Sequence, residues 1–111
     1  MELEILNTKL ESNLTAESYQ KLVAQIEKDF VMTGISYDFN NLNPNELLAC
    51  LHEIMEQLLS KEYSTLLSLL YRIDIPESAI NFNDTETAEA QLVNLIVRRE
   101  FLKVQLREKY S

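Results

Sequence analysis

The 111-residue chain contains one glycine and two prolines. Sheets and barrels turn often, and tight turns rely on Gly, Pro and Asn-Gly pairs. Helices need few such breakers. Leu, Glu, Lys, Gln and Ala, all good helix formers, fill the long segments of this chain. The expected fold is therefore all-α: a small bundle of four main helices, with residues 2–13 able to add a short amino-terminal helix. The length suits a single helical domain over residues 1–111. The hydrophobic fraction of 46% and charged fraction of 25% are those of an ordinary globular core and surface.

The apolar spacing places the helices. Leu3, Leu6, Leu10 and Leu14 give residues 2–13 one apolar edge. Thr15 suits an N-cap, and Tyr19, Leu22, Val23, Ile26 and Phe30 then form a narrow stripe over about residues 16–32. Glu17, Gln20, Lys21, Gln25 and Lys28 are assigned to the opposite, polar face. Gly34 stands where a left-handed residue would end that helix. Ile35-Ser36-Tyr37-Asp38-Phe39 and Ile80-Asn81-Phe82-Asn83 alternate with strand period, so one or two short extended segments are expected, able to pair as a minimal ribbon.

Asn43-Pro44-Asn45-Glu46 combines an N-cap, a first-turn proline and a capping-box glutamate. A central helix should follow to about Ser60, carrying Leu47, Leu48, Leu51, Ile54, Met55, Leu58 and Leu59. Residues 62–72 are apolar around most of their circumference and should be the most buried element, ending near Ile73 because Pro76 disfavours helix at Ile75. Asp84 is expected to cap a last helix of roughly 25 residues, about 38 Å long. Its apolar positions fall into two arcs. Leu92, Leu95, Ile96, Leu102 and Leu106 form one, and Val93, Val97, Phe101 and Val104 the other. Two arcs require two covering surfaces: the helix is either sandwiched within the chain or presents Val93, Val97, Phe101 and Val104 as a dimer interface.

The net charge of −8 argues against nucleic acid as a ligand. The charge is uneven: residues 1–97 hold 5 basic and 16 acidic side chains, net −11, whereas residues 98–111 hold 5 basic and 2 acidic, net +3. Cations near a helix C-terminus complement its dipole. The amino-terminal Met1-Glu2-Leu3-Glu4 lacks the basic and apolar regions of a secretory signal, and no stretch approaches the ~20 apolar residues of a membrane span. A cytoplasmic protein with no membrane partner is expected.

Catalytic and metal patterns are absent from the sequence. His52 and Glu56 lie one turn apart, but His52 is the only histidine, so two-histidine zinc and paired di-iron patterns cannot form. The single Cys50 sits in an apolar run and reads as a small buried hydrophobe. One glycine excludes a glycine-rich phosphate loop. No cofactor is implied. The most informative charges are Arg99 and Lys103, which fall inside the first apolar arc of the last helix. A charge there must be paired or must reach water along its stem. Asp74 and Glu77 are candidate partners, and with Tyr71 they outline either an ion-pair tie or a notch for a small anionic ligand.

The stretches Leu69-Leu70-Tyr71-Arg72-Ile73-Asp74-Ile75-Pro76-Glu77 and Leu95-Ile96-Val97-Arg98-Arg99-Glu100 resemble segments of short, uncharacterised bacterial all-helical proteins of unknown function. The resemblance implies a bacterial, all-helical protein and no particular activity. The functional expectation from the residues is a non-enzymatic interaction or assembly module, binding a protein partner or a second copy of itself. The alternative is a small-anion binder at Arg99 and Lys103.

Overall fold

The computed structural model describes residues 15–110. Four helices fold on one another: α1 (Ala16–Met32), α2 (Pro44–Lys61), α3 (Tyr63–Ile73) and α4 (Thr85–Tyr110), with a 3₁₀ turn at Glu77–Ala79. Among the described residues there is no strand. The expected helix over residues 2–13 lies outside them.

Local chemistry explains the boundaries. Thr15 Oγ1 accepts the Ser18 amide at 3.0 Å and opens α1. At the other end Gly34 takes φ 88°. Its amide reaches the Val31 carbonyl, and the Ile35 amide reaches Phe30, which satisfies two terminal carbonyls. Asn43 and Glu46 complete a reciprocal capping box: Asn43 Oδ1 accepts the Glu46 amide at 2.8 Å, and Glu46 Oε1 accepts the Asn43 amide at 2.9 Å. A single residue in non-helical geometry, Glu62, breaks α2 from α3. Asp74 ends α3 in the left-handed region (φ 74°), with the Ile75 amide turned back onto Leu70.

The core is one cluster fed by every helix, including Leu22, Ile26 and Phe30 of α1, Leu51 and Met55 of α2, Leu66 and Leu69 of α3, and Leu92 and Ile96 of α4. α4 lies between α1 and α2, and these two packings are the most extensive in the bundle. That arrangement covers both of its arcs along the first four turns. Val93, Val97 and Val104 are buried within the chain, and Phe101 is half-buried against the core. Of the candidate interface Val93, Val97, Phe101 and Val104, the three valines are therefore used in internal packing, as the sandwiched alternative requires, while Phe101 keeps part of its surface open.

Two other expectations change. The segments around Ile35–Phe39 and Ile80–Asn83 do not pair. Phe39 instead packs edge-on against Phe30, with ring centroids 5.8 Å apart, while Phe82 packs edge-on against Tyr63 at 5.6 Å. Each aromatic finds a different helix, which separates the segments. Nor is α3 the most buried element, because Tyr71 is 90% exposed and Tyr63 is exposed as well. The crossover between α1 and α2 is held by Tyr19, whose hydroxyl donates to the Leu42 carbonyl at 2.7 Å. Burial, with the Glu46 charge nearby, pushes that phenol up to about 12.

The capping box is a local device with a local effect. Asn43→Ala is expected to lower stability by about 1 kcal/mol, read as an earlier urea midpoint with an unchanged slope.

Candidate functional site

The strongest electrostatic feature lies in the seam between α1, α3 and α4. α1 directs Gln25 and Asp29 inward on the same face as Leu22 and Ile26, and both are buried. Gln25 thus belongs to the core side, not to the polar face. Four residues of spacing let its Nε2 donate to Asp29 Oδ2 at 3.0 Å. Arg72 of α3 donates from Nε to Asp29 Oδ1 at 2.9 Å, and Lys103 of α4 donates to Oδ2 at 3.3 Å. Arg107, one turn beyond Lys103, donates from Nη2 to Gln25 Oε1 at 2.7 Å.

Glu100 completes the cluster. It is fully buried on α4 among Ile96, Val97 and Val104. Lys103 Nζ lies 3.2 Å from its Oε1, close enough for attraction but outside hydrogen-bond alignment, and both carboxyl oxygens lack a protein donor. Burial, the hydrogen bond to Asp29 and the Asp29 charge together push Glu100 up to about 8, against the opposing pull of Lys103. A value near 8 favours the protonated form of Glu100 at neutral pH, beside a charged Asp29. Burial alone would raise Asp29 too. Hydrogen bonds from Glu100 and Gln25, with the charge of Lys103, overcome that effect and hold it at about 2. The two carboxyls thus divide their roles: Asp29 carries the charge and Glu100 the proton.

The sequence candidates separate. Arg99 turns back onto the end of α3, its Nη2 3.3 Å from Asp74 Oδ2 and its Nε donating to the Ile73 carbonyl at 3.3 Å. Lys103 joins Asp29 and Glu100 instead. Tyr71 points to solvent, and Glu77 is exposed on the 3₁₀ turn with no ion pair among the described residues. Arg99, Lys103, Tyr71, Asp74 and Glu77 therefore form no common notch. His52 faces Glu89 of α4, with Nδ1 to Oε1 3.0 Å, rather than Glu56. Cys50 is half-buried and donates weakly to Tyr37 Oη at 3.5 Å.

Asp29, Glu100, Gln25, Arg72 and Arg107 were not singled out by sequence spacing. A signal exists. Gln25 and Asp29 stand three and seven positions after Leu22, and Glu100 stands four from both Ile96 and Val104, so all three occupy core-facing registers. The basic end of α4 also acquires an explanation. Arg99, Lys103 and Arg107 reach across to α1 and α3, leaving Arg98 and Lys109 without an ion-pair partner among the described residues.

Among the described residues no three His, Cys, Asp or Glu side chains gather to hold a metal, and no helix is long and apolar enough to cross a membrane. No family model, curated protein or solved structure matches the chain.

Glu100 makes stability depend on pH with a definite sign. Its ordinary value is 4.5 and its folded value about 8. Between these the folded state keeps a proton that the unfolded chain has released, so stability falls as pH rises, by roughly 1.4 kcal/mol per pH unit at full proton difference. The stabilisation is complete below 4.5 and lost through about 8. Asp29 works oppositely and only in acid, contributing above 3.8 and failing as pH drops towards about 2. Urea titrations from pH 5 to 9 should show a downward slope in the wild type that Glu100→Gln removes.

Proposed function

We propose that the protein is a non-enzymatic interaction and assembly module of a bacterial cytoplasm, docking through the carboxyl-terminal half of α4. One observation carries this reading. Leu102 and Leu106, one turn apart on α4, are 42% and 45% exposed, and Tyr110, a further turn on, is 76% exposed. They continue the arc that Leu92 and Leu95 begin inside the bundle. The row runs out from the core onto open surface because α4 extends for 26 residues, while every residue from 105 to 110 is exposed.

Covering such a row stabilises a complex by roughly 25 cal/mol for each Å² of apolar surface removed from water. The flanks set the partner's charge. Projected at about 100° per residue, Arg98 and Lys109 border the row on one side. A second copy related by a two-fold axis would bring these cations together, so self-pairing would tighten as salt screens them. An acidic partner would instead bind more weakly in salt.

Light scattering coupled to size exclusion, run from micromolar to millimolar protein at low and high salt, tests the self-assembling form. Dimer that grows with concentration and salt is expected, with Leu102→Glu/Leu106→Glu remaining monomeric. Monomer under every condition removes self-assembly and leaves only a different protein as the partner.

A further inference from the structure

On the opposite side of α4 from Leu102 and Leu106, a cleft of about 350 Å³ opens between α1 and α4. Lys21, Ala24, Gln25 and Lys28 form one edge of α1 at spacings of three, four and seven, and face Val104, Arg107 and Glu108 of α4. Ala24 is exposed at the opening and short, and Val104 and Gln25, both buried, line the gap beneath it. The volume falls in the lower part of the range of small-molecule sites, about 300–1,000 Å³.

The lining is basic in a chain whose net charge is −8. Three cations and one carboxylate surround the gap. Each cation has capacity to spare. Arg107 gives one N–H to Gln25 at 2.7 Å, and a guanidinium has four more. Lys21 is held only by Glu17 at 3.5 Å, an exposed pair of the weak kind. Lys28 is exposed and has no ion-pair partner among the described residues. The Glu108 carboxylate is engaged by the Ser18 hydroxyl at 3.1 Å. Arg107 is also tied to the buried network, because the Gln25 that accepts its N–H is itself bonded to Asp29.

We propose that this cleft binds a small organic anion. The anionic head sits among Lys21, Lys28 and Arg107, and a short apolar body lies against Ala24 and Val104. The charge of the whole chain opposes approach only weakly, since screening confines surface fields to about 8–10 Å at physiological salt. An anion-binding function thus moves from Arg99 and Lys103, which are held by acids, to Lys28 and Arg107, which have no ion pair among the described residues, and Lys21, held only by an exposed pair. The proposal is independent of the docking row, which lies on the other side of the helix.

Isothermal titration of the full chain with four probes tests it: hexyl phosphate, hexanoate, inorganic phosphate and hexanol. Hexyl phosphate should bind saturably and tightest, because an arginine fork matches a phosphate. Hexanoate should follow, inorganic phosphate should be weaker for want of the apolar body, and hexanol should not bind. Lys21→Gln/Lys28→Gln touches only exposed side chains and should weaken hexyl phosphate roughly tenfold with an unchanged melting temperature. Ala24→Leu keeps every charge but fills the gap, and should abolish binding. Failure of both hexyl anions to bind, hexanol binding as tightly as they do, or binding undiminished in Ala24→Leu would each overturn the proposal.

Discussion

A carboxylate inside an apolar bundle is strongly disfavoured unless donors and cations reach it, and Asp29 obtains them from three helices. Gln25 comes from its own helix, Arg72 from α3 and Lys103 from α4, where Glu100 also favours its protonated form beside them. These contacts have fixed lengths, so they restrict how far α1, α3 and α4 can slide or rotate against one another. Apolar packing alone tolerates several registers of similar energy, whereas a buried charge tolerates few. We regard the Asp29 cluster as the element that selects one register. The Glu100 proton is part of this, since a second bare carboxylate beside Asp29 would oppose the packing that surrounds it.

That register determines what α4 presents. Through its first four turns the helix is enclosed by α1 and α2, and both apolar arcs are consumed. Beyond Glu100 only one side is covered. Lys103 and Arg107 point into the α1 seam, which turns Leu102 and Leu106 outward and opens the cleft beside Ala24. The docking row and the basic cleft are thus two consequences of a single rotational setting of one helix.

Much of the fold was legible because its signals are local. Thr15 before an apolar stripe, Gly34 after it, and the Asn43–Glu46 box all act within four residues, and each performs the expected role. Pro76 similarly restricted the end of α3, although the left-handed residue that closes it is Asp74, a residue type that tolerates this geometry without advertising it. The alternating segments were less legible. Strand period in Ile35–Phe39 records which side chains point one way, and Phe39 uses that direction to reach Phe30 rather than a neighbouring strand.

The candidate site was legible only in part. The position of Arg99 and Lys103 within an apolar arc correctly marked them as charges needing partners, and Asp74 lies beside Arg99. The partner of Lys103 is 74 residues away in the chain, on a helix where Asp29 reads as one more solvated acid. Likewise two apolar arcs on α4 showed that two surfaces had to be covered, but not which arc would stay bare. By itself the sequence determined the four helices of the described residues, most of their ends and the side chains able to enter a core, because propensity, capping and periodicity operate over a few residues. Only the tertiary structure decided which carboxylates become buried, which cations are consumed and which apolar row faces water, because those depend on the relative rotation of helices joined by long-range contacts.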